Sequence, residues 1–313
     1  MLKINWIKLF VFGLLFYTIS LLCLAIIDFN QTLSILPIKF WLISLLVPLL
    51  VHFILSIRWF IFLKFLGCQL VYRESLGLYL PGLSLIAAPA RSGEAIRGLW
   101  LESRFRLPIE IGISTTFVER IGDLISALLI ICWSVYFSDI YIIPIIYVIF
   151  ITFIFVVNHL KIGISIINFL FNSNRFNFNL NQNKYFRKIY RLFKQSRLLS
   201  MPYPLSISIL LSLIAWIIES YLLYSIFSYL NIDMSFKYSA LIRTCMGIGG
   251  VISFLPAGLL ASESTAIGLS IALGSGRIEA LVATIFIRLY TLFLPFVIGL
   301  LTFYIQKDLK FSK

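Results

Sequence analysis

Six stretches of the chain, 6–28, 38–62, 111–137, 140–158, 205–229 and 279–304, run apolar with few interruptions. Each exceeds the roughly 18 residues a helix needs to cross a bilayer, so each is predicted to be a full transmembrane helix. Two further apolar stretches, 75–106 and 236–275, are interrupted near their centres by Pro, Gly and charge. They are predicted to be broken, re-entrant hairpins, each returning to the face it entered from. Non-helical backbone at that depth finds no water, so it must be shielded by protein or face a wet cavity.

The two broken stretches resemble each other. The first reads SLIAAPARSGEA (84–95) and the second ISFLPAGLLASES (252–264). Both set Pro-Ala at the break and a Glu shortly after, Pro89 to Glu94 and Pro256 to Glu263. Each is followed by a span with an Arg in an apolar, Thr-containing run: Arg120 in TTFVERIGDL and Arg288 in ATIFIRLYTL. The two Pro are 167 positions apart and the two Arg 168, so two landmarks keep nearly one offset, which argues for an internal duplication. Repeat 1 is predicted over about 38–158 and repeat 2 over about 205–304, separated by a basic cytoplasmic loop at 161–200.

Lys and Arg collect on the cytoplasmic side of membrane proteins. Lys3, Lys8, Lys64, Arg73, Arg104, Arg106, Lys161, the basic residues of 175–197, and Lys307, Lys310 and Lys313 share one face if both hairpins return. Both termini are then cytoplasmic, and Lys39, Lys237 and Arg277 lie opposite. The first hairpin enters from the cytoplasm and the second from outside, the inverted repeat of many transporters. The stretch 174–198 holds seven basic residues and no acidic one, with Lys184, Lys188 and Arg191 at helical spacing. It reads either as a solvated, topology-setting loop or as an amphipathic segment on anionic headgroups. On such a surface each basic residue is worth about 1 kcal/mol.

Composition agrees with an all-α polytopic membrane protein: 60% hydrophobic and 12% charged residues, mean hydropathy +1.00. The net charge of +13 belongs to the topology, and no nucleic-acid partner is expected. Cys23, Cys68, Cys132 and Cys245 are scattered without a CxxC, and His52 and His159 are isolated. No metal or cofactor is expected. The first apolar run is too long for a signal-peptide core and ends in IIDFN without a small-residue cleavage site, so it is read as a retained helix.

Ten charges fall within the apolar segments: Arg91, Glu94, Arg97, Glu119, Arg120, Asp123, Glu219, Arg243, Glu263 and Arg288. Each costs about 2.5–3.5 kcal/mol at a helix centre unless it is paired or wet. Five Arg against five acids can balance. Glu94 and Arg97, like Arg120 and Asp123, are spaced i, i+3, and Glu119 and Asp123 i, i+4, giving one helix a charged face. Helices restarting at Ser92-Gly93-Glu94 and Ala261-Ser262-Glu263 would point free N–H groups at the midplane, and such N-termini with nearby Arg form anion sites. The predicted binding set is therefore Arg91, Glu94, Arg97, Glu119, Arg120 and Asp123, sharing a cavity with Glu263 and Arg288. Arg120 is the expected headgroup ligand. No nucleophile–base pair is recognised, so no catalytic residues are assigned and the chain is not expected to be an enzyme.

These residues carry a family resemblance. Arg58-Trp59, PARSGEAIR at 89–97, the ER-x-x-D of Glu119, Arg120 and Asp123, SFLPAGLLASE at 253–263, and Arg288 ahead of Pro295 and Gly299 resemble the transmembrane flippase family of lysylphosphatidylglycerol synthases and their stand-alone relatives. The resemblance spans nearly the whole chain. It implies a helical bundle with re-entrant hairpins, in a bacterial-type cytoplasmic membrane, that moves a polar lipid headgroup between leaflets. No soluble aminoacyl-transfer domain follows the last span, so a stand-alone member is expected: a single flippase-like transmembrane domain over 1–313 that does not itself make lysylphosphatidylglycerol. The alternative is a membrane-embedded partner of a lipid-modifying glycosyl or aminoacyl transferase, or such an enzyme itself. The expected partners are lipids with polar or anionic headgroups; a homo-oligomer or a lipid-modifying enzyme partner stays open.

Overall fold

The computed structural model describes residues 38–136 and 184–307. The spans expected at 6–28 and 140–158, and both chain termini, lie outside the described residues, as do the side chains of 89–92, Arg91 among them. Every regular element described is helical.

Helix α1 (Ile38–Phe65) is followed by a first broken segment. This comprises α2 (Tyr72–Gly82), 3-10 turns over Leu83–Leu85 and Pro89–Ile96, and α3 (Arg97–Phe105). A long helix, α4 (Ile109–Tyr136), comes next, and α5 (Lys184–Leu199) leads into α6 (Pro202–Tyr229). The second broken segment is α7 (Phe236–Ile252), a single 3-10 turn at Pro256–Gly258, and α8 (Ala261–Ala272). The last span is α9 (Arg277–Arg288), a π-helical stretch Leu289–Phe293, and α10 (Leu294–Lys307). Pro295 has no N–H to give the preceding turn, and the widened π turn accommodates the loss just after Arg288.

Lys39–Phe65, Pro202–Tyr229 and Arg277–Gln306 are the helices, among the described residues, long and apolar enough to cross a membrane. Helix α4 matches them in length, 28 residues or about 42 Å. It differs in burying Glu110 and Glu119 along its apolar course.

Both interruptions fall where Pro and Gly placed them, but the restarts differ. The second helix resumes at Ala261, as the sequence indicates. The first resumes only at Arg97, because Pro89–Ile96 winds as 3-10. Gly93 is pressed against Leu85 there, and a Cβ on it would lie 2.6 Å from the Leu85 carbonyl oxygen. So tight a coil leaves no room for an α turn starting at Ser92.

Two units thus share one order of elements: long helix, broken pair, long helix. Their packing is reciprocal. The long helix closing the first unit, α4, packs on α7 of the second, and α10, closing the second, packs on α2 and Leu83–Leu85 of the first. Helices α1 and α6 pack on each other. The two breaks meet directly, the Ala257 N–H donating to the Ala87 carbonyl at 2.6 Å.

The basic stretch is a helix over 184–199, and it packs along α4. Phe193 and Leu199 sit against Phe62, Val118 and Ile121, and Ser114 donates to the Gln195 side chain at 3.3 Å. The basic side chains Arg187, Arg191, Lys194 and Arg197 are exposed.

Close approach of α10 to the first break depends on Gly299, where a Cβ would stand 2.1 Å from the Ser84 backbone nitrogen. Gly299→Ala is expected to cost about 1–3 kcal/mol through overpacking. Gly268→Ala, at a position with nothing within 4 Å of the added Cβ, is the control. Thermal unfolding in detergent micelles checks this; equal midpoints for the two variants would contradict the contact.

Candidate functional site

The charges inside the bundle form two clusters, one per unit. In the first, Arg97 at the head of α3 reaches α4. The helices touch through Gly98 and Gly112, where a Cβ on Gly112 would lie 2.2 Å from the Gly98 Cα. That contact lets Arg97 Nη2 donate to Glu94 Oε2 and Glu119 Oε2, both at 2.9 Å. The guanidinium also stacks over the rings of Trp59 and Tyr79, each 5.1 Å away. On the other side Arg58 of α1 donates to Asp123 Oδ1 and to the Ser212 hydroxyl, both at 2.5 Å, with Glu119 Oε1 at 3.7 Å. Ser212 of α6 in turn donates to Asp123 Oδ1 at 2.9 Å. Arg120 closes the set, bound to Glu94 Oε2 at 3.0 Å and Asp123 Oδ2 at 3.1 Å.

In the second cluster Arg288 Nε donates to Glu263 Oε1 at 2.5 Å, and its Nη2 donates to the Ala257 carbonyl at 2.9 Å. The turn it holds is strained: Phe254, Ala257 and Leu260 all take left-handed backbone conformations, with φ of 53°, 56° and 65°. Non-glycine residues pay for such conformations, and they persist where surrounding contacts impose them. Arg243 of α7 donates to Glu219 at 2.6 Å and lies over the Trp216 ring at 4.8 Å. Trp216 donates through its indole N–H to the Asp123 carbonyl at 3.2 Å, tying α6 to α4.

Both units repeat one device. A Glu just beyond the break binds an Arg in the following long helix, Glu94 with Arg120 and Glu263 with Arg288, at sequence separations of 26 and 25.

Between the clusters lies a cavity of about 340 Å³. Arg120, Asp123, Trp216, Arg243 and Arg288 line it, together with Ala88, Ala257 and Gly258 at the breaks. Of the residues the sequence singled out, Arg120, Asp123 and Arg288 reach this space. Glu94, Arg97, Glu119 and Glu263 stand behind it as partners of the arginines, with Arg97 only 1% exposed. Arg58, Arg243, Ser212, Trp216 and Glu219 belong to the same arrangement but were not in the predicted set. Arg243 and Glu219 were visible as charges in apolar runs, and Arg58 beside Trp59 as a motif. Their partners are 24 and 65 positions away on other helices, so no spacing rule joins them.

The charge pattern is directional. Among the described side chains, Arg58, Arg97, Arg120, Arg243 and Arg288 face Glu94, Glu119, Asp123, Glu219 and Glu263, five against five. The sum is zero, yet three guanidiniums and one carboxylate reach the cavity while the other acids stand behind. An anionic group of modest size is what such a wall attracts.

A family model described as the lysylphosphatidylglycerol synthase TM region matches residues 5–299. The chain belongs to that family. No curated protein and no solved structure matches it. Membership in the lysylphosphatidylglycerol synthase transmembrane-region family makes this a membrane protein linked to lipid handling, as its long apolar helices agree. In this family member, Cys68 in the turn after α1 is no ready nucleophile, since burial pushes its thiol up.

Arg58 and Arg120 differ in how deeply they are buried. Arg58 is 1% exposed and anchors Asp123 and Glu119 from α1, whereas Arg120 is 24% exposed to the cavity. The acids of both keep other partners, Glu94 and Glu119 through Arg97 and Asp123 through Ser212 and the arginine that remains, so the order of cost rests on burial. Arg58→Met is expected to destabilise the fold by about 3–5 kcal/mol, the usual cost of breaking a buried pair from one side. Arg120→Met is expected to cost clearly less. Denaturant titration of both variants in detergent checks the order, and the reverse order would contradict it.

Proposed function

We propose that the protein moves a lipid with a polar, anionic headgroup between the two leaflets, passing the headgroup through the guanidinium-lined cavity while the acyl chains stay in lipid. The observation that carries this reading is the cavity at the meeting point of the two breaks, walled by Arg120, Arg243 and Arg288. A guanidinium grips a phosphate through two parallel hydrogen bonds. Asp123 sets the orientation of Arg120 and offers a partner to an ammonium on the same headgroup. The small residues at the breaks, Ala88, Ala257 and Gly258, let a headgroup approach the backbone closely.

The positive-inside pattern supports a topology with α5, the α1–α2 turn and both termini on the cytoplasmic side and the two broken segments entering from opposite faces. The reciprocal packing of the two units is what an inverted repeat would give, and rocking one unit against the other would expose the cavity to each side in turn. The family's description as the membrane region of a synthase favours a second reading, in which the chain is the membrane-embedded partner of a lipid-modifying transferase, or such an enzyme itself.

The deciding experiment uses the full chain alone in liposomes, with fluorescent headgroup-labelled lipids of several classes, scored for exchange between leaflets. Exchange of anionic lipid is expected without any transferase. No exchange of any lipid class would sink the first reading and favour the second. Arg120→Lys is expected to slow exchange at least tenfold in folded protein, since Lys offers only a point charge, and Arg120→Ala further. A folded, fully active Arg120→Ala/Asp123→Ala double variant would instead make the pair purely structural. For orientation, a Cys at Ala272 is expected to react with an impermeant reagent from outside and a Cys at Lys194 only from within; labelling of Lys194→Cys from outside would reverse the topology.

A further inference from the structure

Apart from the central cavity, one surface combines charge and oil in the order a phospholipid does. On α5 the exposed Arg187, Arg191 and Lys194 stand at i, i+4 and i+7, a single ridge of the helix. The next position of that ridge, i+11, is Leu198, 41% exposed. Leu198 forms one wall of an apolar groove of about 410 Å³ whose other lining residues are Phe65, Met201, Pro202, Tyr203 and Pro204. Phe65 and Tyr203 pack edge to face at 5.5 Å, joining the end of α1 to the start of α6. Arg197, exposed beside Leu198, adds another cation at the mouth. Leu210 and Ile217, 57% and 47% exposed, follow Tyr203 at seven-residue steps and so lie on the same face of α6.

We infer that this ridge and groove form a binding site for one anionic phospholipid of the leaflet in which α5 lies, its headgroup on the basic ridge and an acyl chain in the groove. A membrane lipid fits better than an acidic soluble protein because the basic track ends in an apolar groove that opens onto the lipid-facing side of a long apolar helix. The site is distinct from the cavity: it shares no lining residue with it. Its consequence runs through packing. Helix α5 lies on α4 through Phe193, Leu199 and Gln195, and α4 carries Glu119, Arg120 and Asp123. A lipid bridging the ends of α1, α5 and α6 therefore holds the helix that presents Arg120.

The test reads this site alone. The full chain with Met201→p-benzoylphenylalanine, at the exposed rim of the groove, is reconstituted in vesicles of equal phosphatidylglycerol and phosphatidylcholine. Crosslinked lipid is then identified by mass spectrometry. Phosphatidylglycerol is expected to exceed phosphatidylcholine severalfold. Adding Arg187→Gln/Arg191→Gln/Lys194→Gln, all on the exposed ridge, is expected to bring that severalfold ratio down to the bulk value. Salt at 1 M, where screening acts within about 3 Å, is expected to lower it likewise. Arg120→Ala is expected to leave it unchanged, so the outcome does not depend on whether the cavity carries lipid. A wild-type ratio equal to bulk overturns the site. A ratio untouched by the triple substitution overturns it too and leaves the ridge to an acidic protein. A ratio that falls with Arg120→Ala but not with the triple substitution overturns it by showing that the captured lipid is cargo in passage.

Discussion

Ionised groups inside a hydrocarbon slab must find partners, and the Glu-to-Arg link from each break to the next long helix is the partner on which the rest of this structure depends. The ten charges in the two described clusters would together cost about 25–35 kcal/mol if each stood alone at a helix centre, more than the 5–15 kcal/mol by which a folded domain is usually stable. Glu94–Arg120 and Glu263–Arg288 remove much of that cost. They also fasten each broken segment to a rigid helix. A turn of 3-10 or left-handed backbone would otherwise lack a reason to stay at one depth.

The consequence is that both breaks are tied to their surroundings. Ala257 and Ala87 share a backbone hydrogen bond, and Arg288 takes the Ala257 carbonyl that the strained turn leaves without a helical partner. Small side chains at the breaks, and Gly at the helix contacts, are needed because backbones must meet there. Reciprocal packing then follows: α4 supports the second broken segment and α10 the first, so neither unit can be built without the other.

Part of this was legible in the sequence, because the signals are local or periodic. Apolar run lengths located the described long helices, and Pro and Gly located both breaks. The site was legible as a population of charges rather than as a geometry. Spacing within α4 joined Arg120 to Asp123, and spacing after the first break joined Glu94 to Arg97. No local rule joins Arg58 to Asp123, 65 positions away, or shows that Arg97 is sealed between Trp59 and Tyr79 instead of facing the cavity. The late restart at Arg97 was hidden for a related reason, since it depends on Leu85 pressing on Gly93. Helix α5 was ambiguous because its basic face suits a solvated loop and a membrane surface alike. The structure shows a helix packed on α4, a contact neither reading contains.

A carrier of charged headgroups faces opposing demands: it must attract its cargo at depth, and it must let go. A cavity of uncompensated arginines meets the first demand and fails the second, since the Coulomb energy of bare opposite charges grows steeply as the dielectric falls. The arrangement here lies between these limits. Every described arginine of the wall has a carboxylate within hydrogen-bonding distance, so the empty site is neutral and stable without a bound ion. On the proposed function, an arriving phosphate would compete with carboxylates already in place, and its net gain would be the difference between two similar interactions. Arg120 is best suited to that exchange. It is the most exposed of the paired arginines, and both of its acids have another donor to fall back on. Arg97, sealed and stacked, has no such freedom; on the same proposal it would hold Glu94 and Glu119 in position while Arg120 changed partners.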